Sequence, residues 1–309
     1  MFQTLLVPLD GSEFSERSVP LARGLARASS GALHLVQVHP PAVAGHMLSS
    51  SQFAYRSLDL EAYAERHREE AGRHLEQLAN KLSGDGTAVH TTVLEGPIAE
   101  TLADHAGAIG ADLIVMTTHG RAGANRMWLG SVADALVRHT HTPILLMHPE
   151  DQDRDTVEVD RLKHILVPLD GSDLAESVLA PTATLARTTG ARLTLAHIVA
   201  SQSALGAGLV PLLPDDIVRI REQANEYLEN TADRLRSEGL TVDTHVCEGE
   251  TAAPTVAAVA KDLKADLVSL ATHGYGGLKR AVLGSVADKV LRSSPLPMLV
   301  LRPDSRSGS

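Results

Sequence analysis

The residues best suited to chemistry are glycines, serines and acids set around short apolar runs. Residues 112–116 (DLIVM) lead into TTHGRAGANRMWLGSVAD, residues 117–134. His119 and Gly120 follow the apolar run, nine residues intervene, and Gly130 and Ser131 open VADALVRH. A short, bounded apolar run predicts a buried strand. The later stretch, with Val132, Leu136 and Val137 on one face, predicts a helix. The first amides of a helix lack intrahelical acceptors and carry partial positive charge. Gly130 lets an anion approach that backbone, and the Ser131 hydroxyl can cap the helix or bond a phosphate oxygen. The chemistry implied is phosphate binding, mainly by backbone.

The same device recurs. Ala271, Thr272, His273 and Gly274 are followed by nine residues, then Gly284, Ser285 and Val286, behind the apolar run 266–270. A second motif is also doubled: LLVPLDGS at 5–12 returns as ILVPLDGS at 165–172, a shift of 160 from position 5 to position 165. The Gly-Ser pairs shift by 154, from 130 to 284. A period this long is a duplicated domain, not a solenoid unit. Asp10 and Asp170, each closing a first strand, could bond the ribose or base of a nucleotide, or could instead hold the start of the next helix.

These residues need a scaffold that brings strand ends and helix starts together. Apolar patterning predicts strands at 4–9, 32–38, 87–94, 112–116 and 143–147, with helices at about 13–29, 58–82, 97–108 and 131–140. Val19, Leu21, Ala22 and Leu25 give the first helix its inner face. The second half repeats the order, with strands at 163–169, 191–199, 241–247, 266–271 and 297–302, and helices at about 173–189, 214–238, 251–263 and 285–293. The expected organisation is a domain at 1–149, an acidic linker at 150–161, a domain at 162–303 and a polar tail at 304–309. Alternating strands and helices imply a parallel sheet covered on both faces. Ligands on such sheets bind beyond the carboxyl ends of the strands, where strand order reverses. Both the Asp-Gly-Ser and the His-Gly segments leave such ends.

Composition narrows the function. Hydrophobic residues make up 43% of the chain but aromatics only 3%, so the cores must be aliphatic. A net charge of -10 argues against a general nucleic-acid or membrane-surface binder. One cysteine, Cys247, excludes an intramolecular disulfide and a four-cysteine zinc site and suits a cytoplasmic protein. The N-terminal MFQTLLVPLDGS reads as a first strand, not a signal peptide, and no apolar run reaches membrane-spanning length.

Other features carry plainer readings. His119 and His273 are expected to lock their loops rather than catalyse. Arg138, His139 and His141 lie at a helix end, where histidines meet free carbonyls rather than a metal. His67 and His74 read as solvated, Trp128 as a packing or subunit-contact residue, and Cys247 as a small buried hydrophobe. The chain has no Walker loop, nucleophile elbow, His-Glu-x-x-His motif or dinucleotide glycine fingerprint. Fast ATP hydrolysis is not expected.

Taken together, these motifs resemble a tandem universal stress protein of the ATP-binding type. That family's signature is Gly, two residues, Gly, nine residues, Gly, then Ser or Thr. Its last three elements stand intact as Gly120, Gly130, Ser131 and as Gly274, Gly284, Ser285. The first glycine is Thr117 in one half and Ala271 in the other, both at strand ends where negative φ suffices and a small side chain is expected to be tolerated, with crowding of the ribose by a methyl or hydroxyl as the alternative. The resemblance implies two flavodoxin-like, doubly wound domains, each a five-stranded parallel sheet of order 3-2-1-4-5. These would pair through their fifth strands, so that assembly with a second chain is optional. It implies ATP, with Mg²⁺ on its phosphates, in each crevice. Pro8, Asp10 and Val38 would meet the adenosine end with Thr117, and Gly120, Arg126, Gly130, Ser131 and Val132 the ribose and phosphates. The counterparts are Pro168, Asp170, Ile198 and Ala271, then Gly274, Arg280, Gly284, Ser285 and Val286. The function implied is a nucleotide-dependent stress-response module. A slow ATPase or nucleotidyl-transfer enzyme, and a nucleotide-free interaction protein with degenerate sites, are the alternatives.

Overall fold

The computed structural model describes residues 1–41, 60–118, 129–147, 159–200, 214–272 and 283–303. In the first half these form β1 (Thr4–Leu9), α1 (Glu13–Glu16), α2 (Val19–Ser29), β2 (Ala32–His39), α3 (Leu60–Leu82), β3 (Ala88–Glu95), α4 (Ile98–Ala108), β4 (Leu113–Thr117), α5 (Ser131–His139) and β5 (Ile144–Met147). The second half repeats the series as β6 (His164–Pro168), α6 (Asp173–Glu176), α7 (Leu179–Thr189), β7 (Arg192–Ala200), α8 (Pro214–Ser237), β8 (Val242–Gly249), α9 (Ala252–Asp262), β9 (Leu267–Ala271), α10 (Ser285–Ser293) and β10 (Met298–Leu301).

The single helix expected at 13–29 is two helices, α1 and α2. Pro20 lacks an N–H and sits in the first turn of α2, where no donor is needed. Upstream the backbone tightens into i→i−3 bonds, with Arg17 N donating to Phe14 O and Ser18 N to Ser15 O, both at 3.3 Å. The second half breaks in the same way between α6 and α7.

The ten strands form one sheet of order β3-β2-β1-β4-β5-β10-β9-β6-β7-β8. Each half is parallel and has the order 3-2-1-4-5 read outward in. The halves join through β5 and β10, which run antiparallel with Leu145 opposite Leu299. Side chains alternate across the sheet. Leu5, Val7, Leu35 and Val115 therefore pack with Leu25 of α2 and Leu75 of α3, while Leu6, Val36, Ile114 and Met116 pack with Leu102 of α4 and Leu136 of α5. Both layers continue into the second half, so the sheet is covered on both faces throughout. Just before β6, a 3-10 turn at Val159–Arg161 lies on α2, so close that a Cβ on Gly24 would sit 2.4 Å from Val159 Cγ2. The rest of the expected linker, 150–158, lies outside the described residues.

Candidate functional site

The site begins with a gap in the sheet. Asp112 N donates to Thr4 O at 2.9 Å, so Thr4, and by alternation Leu6 and Pro8, turn their backbones toward β4. Pro8 has no N–H to offer. The β1–β4 register accordingly ends at Leu6 opposite Ile114, while β1–β2 runs on to Leu9 opposite Gln37. The second half repeats this. Asp266 N donates to His164 O at 2.9 Å, Pro168 has the same parity, and the β6–β9 register ends at Leu166 opposite Val268. β1 and β6 each lie between the strand that follows in sequence and one that arrives later, so each gap is a switch point of the sheet.

Asp10 and Asp170 stand at the mouths of these gaps. Gly11 has φ 78°, a left-handed turn that glycine adopts without strain. That turn brings Ser12 back onto Asp10, whose Oδ1 accepts from Ser12 N at 2.9 Å and Ser12 Oγ at 2.6 Å. Ser12 in turn caps α1 by accepting from Ser15 N at 3.2 Å. Gly171, at φ 82°, gives Asp170 the same bonds from Ser172, at 3.0 and 2.6 Å. Neither aspartate caps a helix directly; each holds the serine that does.

The helix starts are pinned to the strand ends. Thr118 N donates to Met147 O at 2.9 Å, and Thr118 O accepts from Gly130 N at 2.8 Å. Thr272 does the same between Leu301 O, at 2.8 Å, and Gly284 N, at 2.7 Å. The caps are therefore Gly130 and Gly284, not the serines. Ser131 and Ser285 are the first helical residues and are exposed, so their hydroxyls do no capping. The first intrahelical bonds are Asp134 N to Gly130 O and Asp288 N to Gly284 O, both 2.8 Å. The amides of Ser131, Val132 and Ala133, and of Ser285, Val286 and Ala287, precede those bonds, and no side chain caps either helix. These are the groups able to receive an anion. Gly130 has φ −59° and ψ 151°, which any residue adopts, so its lack of a Cβ matters for close approach rather than for conformation. The inner face of α5 is Ala133, Leu136 and Val137; Val132 lies at its edge and Val286 is 43% exposed.

Val38, buried, and Ile198, half-buried, belong to the core layer that carries α5 and α10, so they lie on the face of the helix starts. Thr117 and Ala271 end β4 and β9. Among the described residues the only non-glycines with left-handed φ are Ser30 and Lys264, so neither position demands glycine. Ala271 packs in the opposite core layer, and Thr117 shares the parity of Leu113 and Val115 in that layer. Their side chains thus point away from the helix-start face, where they would not crowd a ligand. Gly120, Arg126, Gly274 and Arg280, with His119, His273 and Trp128, lie outside the described residues.

The motif did not suggest that four residues near the site, Asp134, Arg138, Asp288 and Arg292, pair with one another. Asp134 receives Arg138 Nε at 2.9 Å and Arg138 NH2 at 3.1 Å, and also Arg292 NH2 at 3.2 Å. Arg292 Nε donates to Asp288 Oδ1 at 3.0 Å. The guanidinium of Arg138 holds the Asp134 carboxyl below its ordinary range, with Arg292 adding to the effect. The signal was present as Asp and Arg at i, i+4, twice, at the same 154-residue shift from 134 to 288. His139 Nδ1 lies 2.6 Å from Ala135 O and His141 Nδ1 3.2 Å from Arg302 O, the carbonyl contacts expected of that cluster. His74 is not simply solvated, because its Nε2 lies 2.9 Å from Glu16 Oε1. Cys247 is half-buried, and burial pushes its thiol pKa up.

A sequence model of the universal stress protein family matches residues 1–148 and 161–302. A universal stress protein of Mycolicibacterium smegmatis is 26% identical over 310 residues, covering 97% of each chain. One from Mycobacterium tuberculosis is 26% identical over 96% of this chain and 94% of its own. The crystal structure of a universal stress protein from Archaeoglobus fulgidus superposes with a TM-score of 0.69 at 20% identity, covering 97% of this chain and 98% of that one.

Proposed function

The chain belongs to the universal stress protein family, and from that premise we propose that it is a stress-response regulatory module that binds ATP in two pseudo-equivalent crevices, one in each of two domains, at 1–149 and 162–303. The observation that carries this reading is the doubled construction: a strand gap opened by proline, an Asp-Gly-Ser turn at its mouth, and a glycine-capped helix start pinned beside it. In the first crevice the phosphates meet the amides of Ser131, Val132 and Ala133. Gly130 permits the approach, and Gly120 and Arg126 complete the cradle. Pro8, Asp10 and Val38 face the adenosine end, near Thr117. In the second, Ser285, Val286 and Gly284 take the phosphates with Gly274 and Arg280, and Pro168, Asp170 and Ile198 the adenosine end, near Ala271. Mg²⁺ arrives on the phosphates. The proposal includes no chemical step: binding biases the protein's interaction with a partner in the cytoplasm.

The test is calorimetric titration of the full chain with ATP and Mg²⁺. Two binding events are expected. Gly130→Val should abolish one and Gly284→Val the other, with melting temperatures lowered by only a few degrees, because both positions have a backbone conformation open to valine but lose a good helix cap. Equal affinity in wild type and both variants would remove the assignment.

A further inference from the structure

α5 and α10 do not present their amides alone. Asp134 and Asp288 are the residues whose N–H closes the first helical bond onto Gly130 O and Gly284 O, both at 2.8 Å. Each therefore carries a carboxylate one turn from the amides assigned above to phosphate. Acid in the first turn stabilises a helix but competes with an incoming anion for the same positive end. Its position decides whether the cradle attracts or repels.

That position is set by arginine, and unequally. Arg138 hydrogen-bonds Asp134 twice, at 2.9 and 3.1 Å, and acts on Asp288 through charge at longer range. Arg292 reaches both acids, its Nε lying 3.0 Å from Asp288 Oδ1 and its NH2 3.2 Å from Asp134 Oδ1. It crosses from the second half to the first, beside the β5–β10 seam. Asp134, Arg138, Asp288 and Arg292 are each roughly a third exposed or less, so solvent screens their charges only partly.

We propose that Arg292 is a positioning residue shared by both nucleotide sites: it draws the Asp134 and Asp288 carboxylates toward the seam and neutralises them, so that both helix starts remain open to phosphate. The inference rests on the reading of those starts as nucleotide sites. It makes the two sites unequal in their dependence on arginine. The first has Arg138 on its own helix and Arg292 from across the seam, and the second is hydrogen-bonded by Arg292 on its own helix.

The experiment is ATP titration of the full chain at low and high salt, in wild type, Arg138→Ala, Arg292→Ala, Arg292→Lys and the triple variant Arg292→Ala/Asp134→Asn/Asp288→Asn. Each site is resolved by adding Gly130→Val or Gly284→Val. Releasing a carboxylate near the phosphates is expected to weaken binding roughly threefold to tenfold per site at low salt, and less as salt rises. Arg292→Ala should weaken both sites, the second more, whereas Arg138→Ala should weaken chiefly the first. The lysine variant should recover part of the affinity, and the triple variant most of it, because no carboxylate then remains to repel. If the triple variant binds as poorly as Arg292→Ala, the arginine serves only the seam and the inference fails. It also fails if Arg292→Ala binds like wild type. A wild-type chain that binds no ATP instead defeats the underlying nucleotide reading, which separates the two failures.

Discussion

At the scale of single residues, one aspartate per half does more than its motif implies. Asp10 spends one oxygen on both donors of Ser12, and Ser12 spends its own oxygen on Ser15 N. The acid is thus a support for a capping serine, and it is held at the mouth of the gap by that duty. Asp10→Ala should cost about 1 kcal/mol of stability, the usual worth of a lost cap. Asp10→Asn should recover most of that, since an amide oxygen can still accept from Ser12. Urea unfolding reads both, and an asparagine variant as unstable as the alanine one would contradict this account. The pairing of Asp10 with Ser12 was legible as Asp-Gly-Ser, because the glycine forces the turn. The choice of Gly130 over Ser131 as the cap was not. Both residue types cap helices well, and the bond from Gly130 N to Thr118 O, which decides the register, joins residues twelve apart in sequence.

At the scale of elements, the strands were legible almost to the residue, because short aliphatic runs bounded by glycine or polar residues leave little freedom. The break between α1 and α2 was less so. The apolar face of Val19, Leu21, Ala22 and Leu25 is continuous with a helix over the whole stretch, yet Pro20 stops the hydrogen-bond ladder. Gly24, inside α2, had no visible purpose until the turn at Val159–Arg161 was seen against it. Alanine there improves helix propensity, but its methyl would meet the stiff Val159 side chain, whose Cγ2 and Cβ lie 2.4 and 3.2 Å away. Gly24→Ala is therefore expected to destabilise the chain by about 1–3 kcal/mol through overpacking. Adding Val159→Ala should restore most of the loss. A stabilised Gly24→Ala chain would show that the turn moves aside at no cost.

At the scale of the whole molecule, burial of histidine sets a pH response. His34, His105, His164 and His197 all have pKa values lowered chiefly by burial, and His34 is lowered further by His90, stacked on it at 4.6 Å, and by His105. For His164, burial and then the Arg192 charge outweigh the Leu263 carbonyl, 3.1 Å from its Nδ1, which favours the charged ring. The unfolded chain takes up these protons near the ordinary value of 6.5, while the folded chain resists until lower pH. Below about 6.5 the unfolded state binds more protons, so stability falls as pH drops and is level above it. Urea midpoints measured from pH 8 to pH 5.5 should trace this fall, and His34→Asn should shallow it; midpoints that stay level would rule it out. No helix among the described residues is long and apolar enough to cross a membrane. What the chain's residues determine unaided is local or repetitive: ten strands from aliphatic runs, two copies of a crevice from two copies of a motif, and the turns that glycine and proline impose. What only the tertiary structure decides is how distant parts meet. The antiparallel seam of β5 on β10, the strand gaps that Pro8 and Pro168 open toward β4 and β9, and the reach of Arg292 to Asp134 each join residues far apart in sequence. No local propensity encodes such contacts. They follow from how the β5 and β10 edges join the two halves into one sheet, and from which side chains are left facing across that join.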